Sequence, residues 1–446
     1  MSSNSKPGLF DLFNEIPGAD PERCFSLVNG KKMSLGEFFF QAQQVALRLP
    51  QARNVLNLCQ DRYLFTVCYL AVILRNQINL LPQNRSRGCI EKLLKHYSNS
   101  YCISDEPELR YPGLVITLPD LAQHGAQHGT ARIPDIQENC LASISFTSGS
   151  TGKPKAIPKN IGEFLTSARL ATNRLGIGAD LILVSTVPPQ HMYGLETSVF
   201  WPLVSGATIL SCRPFFPEDI RRILSESEKP CLLISTPTQL KACIESTLHW
   251  TNLAGVLSST ASMPLKLAES IESRFAVPLL EIFGSTETMS FASRRLTVSE
   301  RWQPYRGIRV SADAGHCTVQ GGHLGAPQQL DDRFAVDHNG CFTLTGRSSD
   351  LVKIGGKRAS LAELNSLIND IEGVRDALFY PTRHGRLGAL VVSLRSKQSI
   401  LAELRQSIDE VFLPRPLHLI QEIPRNELGK IVKLKLDRLV RELDIA

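Results

Sequence analysis

No stretch of this 446-residue sequence is apolar for long enough to cross a bilayer. The longest apolar run, 64–74, falls well short of the roughly 20 residues a spanning helix needs and reads as a buried helix. Residues 1–20 are polar with scattered apolar positions and lack the apolar segment of a secretory signal, so a cytoplasmic location is expected. The 11 cysteines include no C-x-x-C pair and no Cys/His metal spacing. That pattern favours reduced cysteines packed as small hydrophobes over disulfides or zinc. There is also no internal repeat, no low-complexity tract and no long basic run. The net charge of +6 is a mild excess, which gives no support to a nucleic-acid face and slight support to an anionic ligand.

What is present suits a folded protein of more than one domain. The chain is 43% hydrophobic and 21% charged, as soluble globular proteins are, and it is too long for one ordinary core. Helical spacing of apolar residues appears over 35–49, 64–74 and 91–97, with extended segments at 55–58, 77–81 and 101–103. The region 105–140 is rich in Pro, Gly, His and Gln and reads as irregular surface. From 181 onward strand and helix alternate: strands over 181–187, 207–212, 231–235, 253–257 and 279–283, helices over 217–227, 237–247 and 264–275. Such alternation predicts an α/β fold with a largely parallel sheet, helices on both faces and ligands beyond the C-terminal strand ends. Residues 300–345, rich in Gly, His and Asp, predict short strands at best. A change of pattern at 350 marks a small α+β unit with helices over 361–371, 400–411 and 433–443 and strands over 377–380, 387–394 and 417–421.

The stretch Ser145-Phe-Thr-Ser-Gly-Ser-Thr-Gly-Lys-Pro-Lys155 concentrates hydroxyls, glycines and lysines. Glycines let the backbone approach a ligand closely, and hydroxyl and free N–H groups form anion-binding nests. The spacing is not that of a Walker A loop, because two residues separate the glycines and Pro154 follows Lys153. A solvated linker has a similar composition. The order of the residues, however, resembles the phosphate-loop signature of the adenylate-forming superfamily: acyl- and aryl-CoA synthetases, adenylation domains of peptide synthetases, and luciferases. The resemblance implies nucleotide contacts from Thr147, Ser148, Gly149, Ser150, Thr151, Gly152, Lys153 and Lys155.

Further motifs follow along the chain, so that the resemblance spans most of residues 30–440. His191-Met192-Tyr193-Gly194 resembles the His-x-x-Gly of acyl- and aryl-CoA synthetases and implies that His191 lines the carboxylate end of the acyl pocket. Amino-acid-activating relatives carry an Asp just beyond this histidine, where Met192 and Tyr193 stand here, so the acid is expected to lack an α-amino group. Gly284-Ser285-Thr286-Glu287-Thr288 resembles the stretch that meets the nucleotide, with Thr286 donating to the α-phosphate and Glu287 holding Mg²⁺, which prefers carboxylate and phosphate oxygens. Taken alone, such a stretch is a turn or a helix start. Ser259-Thr260-Ala261 occupies the place of the family's Gly-Gly-Ala beside adenine. Asp332, eight residues before Gly340, corresponds to the ribose-binding carboxylate, with Asp331 as the alternative, and Arg347 would face it. Asp350 corresponds to the interdomain pivot, followed by the Gly355-Gly356 loop. Pro424-Arg-Asn-Glu-Leu-Gly-Lys430 resembles the catalytic-lysine loop.

The resemblance therefore implies a large domain over 1–349 that binds ATP and the acid, and a small mobile α+β lid over 350–446 carrying Lys430. The implied activity is Mg·ATP-dependent ligation of a carboxylic acid: acyl-AMP and pyrophosphate form first, with His191, Thr286, Glu287 and Lys430 as the catalytic set. The acyl or aryl group then passes to the thiol of CoA or of a carrier protein's phosphopantetheine. The compact 287–332 segment, with a trimmed third subdomain, resembles the AMP-ligases of aryl-polyene-type pathways. A non-thiol outcome such as β-lactone closure, or a non-catalytic nucleotide-binding relative, are the alternatives. The acid, the acceptor thiol and the oligomeric state are not written in these motifs.

Overall fold

The computed structural model describes residues 20–82, 84–106, 111, 113–117, 136–148, 154–313, 316–347, 351–354, 357–382, 385–426 and 429–445. Two mainly parallel sheets dominate. The larger has nine strands in the order Gln303–Pro304, Met289–Arg294, Leu279–Ser285, Leu253–Ser258, Cys231–Ser235, Ile182–Ser185, Thr208–Leu210, Cys24–Val28 and Lys31–Ser34. Its interior pairs are parallel, and antiparallel pairs occur only towards the two edges. The second sheet has six strands: Val115–Thr117, Ser100–Ser104, Asn54–Asn57, Ile78–Leu81, Leu141–Ser148 and Pro154–Asn160. It is parallel except for its last pair.

The two sheets share one core. Leu183, Ile209, Ile234 and Leu257 of the larger sheet and Val55, Tyr101 and Ile103 of the smaller belong to a single buried cluster. Helices lie within that cluster. Leu35–Arg48 starts at a reciprocal cap, in which Glu37 N donates to Ser34 Oγ (3.1 Å) and Ser34 N to the Glu37 carboxylate (2.7 Å). Arg62–Leu74 is buried around nearly its whole circumference, which is why its residues read as a continuous apolar run rather than a stripe. Phe164 of Ile161–Leu175 stacks on Phe200 at 4.3 Å. The outer face of the nine-stranded sheet carries Val184, Leu233 and Val256 against Pro217–Glu226, Pro237–Glu245 and Leu265–Phe275. The alternation of inward and outward residues along each strand thus feeds helices on both faces.

Residues 300–345 hold more strand than their composition suggests. Ile308–Asp313, His316–Gly321 and Gln328–Leu330 form a three-stranded antiparallel sheet, and Asp332–Val336 pairs with Phe342–Arg347. Val310, Val319, Phe334 and Phe342 are buried; these alternating positions decide the structure, while the glycines mark its turns. Within 105–140, Val115–Thr117 adds a parallel strand to the edge of the smaller sheet.

The small unit begins with the hairpin Leu351–Ile354 and Lys357–Ser360. The helix Leu361–Asn369 and the strands Val374–Pro381, Leu387–Ser393 and Leu417–Leu419 follow. One face of this sheet packs on Leu361–Asn369 and Lys397–Ser407, the other on Lys433–Ile445. No helix among the described residues is long and apolar enough to cross a membrane.

Candidate active site

The parallel register brings the C-terminal ends of four strands to one edge of the nine-stranded sheet. Ser185 lies beside Ile234, Ser235 beside Ser258, and Ser258 beside Glu281. The segments that leave this edge are 186–191, 236–238, 259–261 and 286–288, and three of the sequence motifs lie on them.

The first corner is fixed from beneath by a buried cation. Arg62 is 1% exposed, and its guanidinium donates to Ser185 O (2.7 Å), to Val187 O (3.3 Å) and to Ser198 Oγ. Burial pushes its pKa down to about 10. Bonding to strand-end carbonyls is what makes this desolvated charge tolerable. The chain then turns through Pro188 and Pro189 into a short helix, Met192–Leu195, for which His191 is the N-cap. Gly194 is required here, because a Cβ would overlap the Pro188 carbonyl. The Tyr193 hydroxyl is committed to the framework, donating to Leu257 O at 2.9 Å. His191 is different: its Nδ1 is buried and has no hydrogen-bond partner among the described residues. Burial and then the nearby Lys430 charge push its pKa down to about 3, so the imidazole is neutral at physiological pH.

The second corner is the turn between Leu279–Ser285 and Met289–Arg294. Gly284 tolerates no Cβ against the Met289 carbonyl. Ser285 N donates to Thr288 Oγ1 (3.0 Å), Thr288 N to Ser285 Oγ (3.3 Å), and Thr288 Oγ1 to Met289 O (2.9 Å). Ser285 and Thr288 therefore consume each other's polar groups and project the half-buried Thr286 and Glu287 from a closed frame. A hard carboxylate on a fixed turn is the donor type that Mg²⁺ takes, so the residues fit that ion.

Between these corners, Ser259 Oγ bonds Ile282 O at 3.1 Å. Thr260 adopts φ +82°, a left-handed conformation that suits the glycine the family favours there. Asp332 is half-buried and Asp331 exposed. Asp332 sits directly across the strand pair from Arg347, and its strand is tied to the strand leading into the 284–288 turn through Phe334 against Phe283 (5.7 Å).

Thr147 and Ser148 end the strand Leu141–Ser148, whose last pair is Ser148 with Pro154. Thr147 pairs with Lys155, which is exposed. The anticipated loop thus joins two antiparallel strands. Gly149, Ser150, Thr151, Gly152 and Lys153 lie outside the described residues, as do Asp350, Gly355 and Gly356. Ile354 pairs with Lys357.

Lys430 reaches the sheet edge from the small unit. Its loop is braced internally: Arg425 makes a bidentate pair with Asp376 (2.8 and 2.9 Å) and donates to Gly429 O (2.8 Å), while Lys430 N donates to Asn426 Oδ1 (2.9 Å). Gly429, at φ +75°, lies against the helix Pro237–Glu245 so closely that a Cβ would come within 2.5 Å of Thr238 Oγ1. The loop is therefore seated on the segment that follows Cys231–Ser235, and the Lys430 charge is felt by His191. Of the anticipated residues, His191, Ser259, Thr260, Ala261, Thr286, Glu287 and Lys430 are gathered at this edge. Arg62, Thr238 and Asp376 carry part of the frame and escaped sequence reasoning, because a buried arginine or a structural threonine has no local pattern of its own, while Ser285, Thr288 and Arg425 stand inside the quoted motifs without their framing role being written there.

Fold and edge together define a class, the nucleotide-binding α/β enzymes with a small unit seated over the strand ends. Within that class the chain belongs to the AMP-binding enzyme family, whose sequence profile matches residues 44–314, and so to the adenylate-forming superfamily. It is similar to the indoleacetate–CoA ligase of Aromatoleum aromaticum, 26% identical over 361 residues and 69% of each chain. It is also similar to the sulfoacetate–CoA ligase of Cupriavidus necator, 25% identical over 466 residues, 88% of this chain and 87% of that one. Among solved structures, ATP-bound MatB from Rhodopseudomonas palustris has a like fold, with TM-score 0.84 at 19% identity over 97% of this chain and 98% of that one. The AMP complex of o-succinylbenzoate CoA synthetase from Bacillus subtilis has TM-score 0.81 at 18% identity over 96% and 97%.

Proposed function

We propose that this protein is a Mg·ATP-dependent acid–thiol ligase that makes acyl-AMP and pyrophosphate and then transfers the acyl group to CoA. The observation that carries the reading is the Lys430 charge acting on the half-buried, neutral His191 at the strand ends that bear Thr286 and Glu287. A neutral imidazole within the field of an ammonium suits a site that must bring a carboxylate up to a phosphate. The carboxylate oxygen attacks the α-phosphorus and pyrophosphate leaves. In this reading Lys430 stabilises the added negative charge, Thr286 donates to the α-phosphate, and Asp332 with Arg347 holds the ribose. Mg²⁺, when bound at Glu287, supplies charge neutralisation to the phosphates. Residues 1–349 and 350–446 act as the two domains, with Asp350 as pivot. Coenzyme A is the favoured thiol, since the relatives named above are CoA ligases; a carrier-protein phosphopantetheine is the other thiol the chemistry admits.

The acid is aryl or medium-sized and lacks an α-amino group, because Met192 and Tyr193 offer no carboxylate and the Tyr193 hydroxyl is already bonded. A hydroxamate-trapping and ATP–pyrophosphate exchange panel over aryl, short-chain, long-chain and α-amino acids tests this. Exchange with α-amino acids alone would refute the substrate class. Lys430→Ala should lose about 100- to 1,000-fold in acyl-AMP formation, the scale of one preorganised donor, while still converting supplied acyl-AMP to thioester. A Lys430→Ala protein that adenylates at the normal rate would remove the assignment.

A further inference from the structure

Behind the nucleotide turn lies a set of buried ionisable groups that the proposed reaction does not use. Glu196 is 3% exposed and stands on a π-helical turn, Glu196–Phe200, one helical step beyond His191-Met-Tyr-Gly. Such insertions tend to occur where a helix serves a site. The Glu196 carboxylate accepts from Ser290 N (3.1 and 3.2 Å to its two oxygens), from Ser290 Oγ (2.6 Å) and, at 3.4 Å, from Ser167 Oγ. Ser290 is the second residue of the strand that leaves the nucleotide turn. His323, 4% exposed, donates from Nε2 to Thr288 O at 2.6 Å, and Thr288 closes the turn frame. The groups facing this pair are Tyr193, Tyr305, Ser290 and Lys159 around Glu196, and Lys159 with Glu163 around His323. Lys159 itself pairs with Glu163 at 3.2 Å and lies on the strand that leaves the phosphate loop. Three elements thus converge on residues 288–290: the helical stretch that carries Glu196, the helix Ile161–Leu175, whose Ser167 Oγ donates to Ser290 O at 3.5 Å, and the segment carrying His323 in the antiparallel unit of residues 308–330.

We propose that Glu196 and His323 are positioning residues that grip residues 288–290 and so set the orientation of Thr286 and Glu287 toward Mg·ATP. A carboxylate without water is costly to bury, and this one is held by three protein donors, all hydroxyl or backbone N–H groups and none a counter-charge. It therefore fixes Ser290 firmly only while ionised, since protonation removes the charge that makes its bonds strong. Burial pushes Glu196 up to about 7, so the grip tightens as pH rises through neutrality. His323, pushed down to about 4 by burial, stays neutral over that range and contributes no inflection of its own.

The inference deepens the ligase reading, and calorimetric Mg·ATP binding to the full chain tests it without any acid substrate. E196Q, nearly isosteric, should bind Mg·ATP about 10-fold more weakly, the scale at which outer supports of a metal site act. It should also require more Mg²⁺ for half-maximal exchange and lose the wild-type rise in exchange rate across neutral pH. E196D should regain part of each. H323Q should weaken Mg·ATP binding without altering the pH profile. If E196Q does not fold, S290A removes the same bond from the other side and should weaken binding in the same direction. Mg·ATP affinity and a pH profile identical to wild type in E196Q, or in S290A in its place, overturn the proposal. A wild-type protein that binds Mg·ATP but exchanges with no acid would sink the ligase reading and leave this one standing on its binding data.

Discussion

His191 shows how one half-buried side chain writes a pH dependence into the fold. Its folded pKa of about 3 lies below the ordinary value near 6.5. The unfolded chain therefore binds the extra proton first, and the stabilisation from burying the neutral ring is complete above about pH 6.5 and lost as pH falls toward 3. Denaturant midpoints measured near pH 7 and pH 5 should fall in the wild type and fall less in His191→Asn. An equal fall in both would show that other groups govern acid stability. Thr260 has a different residue-scale signature. A β-branched residue at φ +82° carries left-handed strain of about 1–2 kcal/mol, partly offset in a glycine variant by chain entropy of about 0.5–1 kcal/mol. Thr260→Gly should therefore gain about 0.5–1 kcal/mol, read as a higher melting temperature, and a loss of stability would mean its side chain is held by more than the strain costs. His191 and Lys430 were legible because they sit in ordered motifs. Arg62 and Glu196 were not, because a charge in a sequence looks the same whether it ends in water or in a core.

At the scale of elements, the parallel alternation from 181 to 283 was readable because each strand is short, largely apolar and bounded by turn residues. The helix Ile161–Leu175 was not, since its buried face is built partly of Ser167, Ala168, Ala171 and Thr172, which carry little periodic signal. The helical stretch from Met192 to Ser205 escaped for the opposite reason: nearly all its residues are buried, so no polar face marks a period. The N-terminal hairpin Cys24–Val28 with Lys31–Ser34 owes its place to pairing with a distant strand, which local pattern does not encode. Two glycines decide whether these elements can form corners at all. Gly194→Ala and Gly284→Ala each push a methyl into a backbone carbonyl, and each should cost at least about 2 kcal/mol in equilibrium unfolding. A near-neutral result at either would mean that the corner is free to relax.

At the scale of the whole molecule, the contact between Gly429 and Thr238 is the seat on which the lysine loop rests, and bulk there should unseat it without touching a reacting atom. Thr238→Trp should reduce acyl-AMP formation about 100-fold, the penalty for misplacing a catalytic group by an ångström or so, and spare thioester formation from supplied acyl-AMP. Equal loss of both half-reactions would mean that this seat does not belong to one step. The sheet order has a consequence of another kind, in the timing of synthesis. Thr208 Oγ1 bonds Cys24 O across a sequence separation of 184, and the strand Cys24–Val28 finds its parallel neighbour only at Thr208–Leu210. A ribosome moving at about 5–20 residues per second leaves that first hairpin without its neighbour for roughly 10–40 s. During that interval the six-stranded sheet emerges, and the hairpin waits for a parallel neighbour that is made only after that sheet.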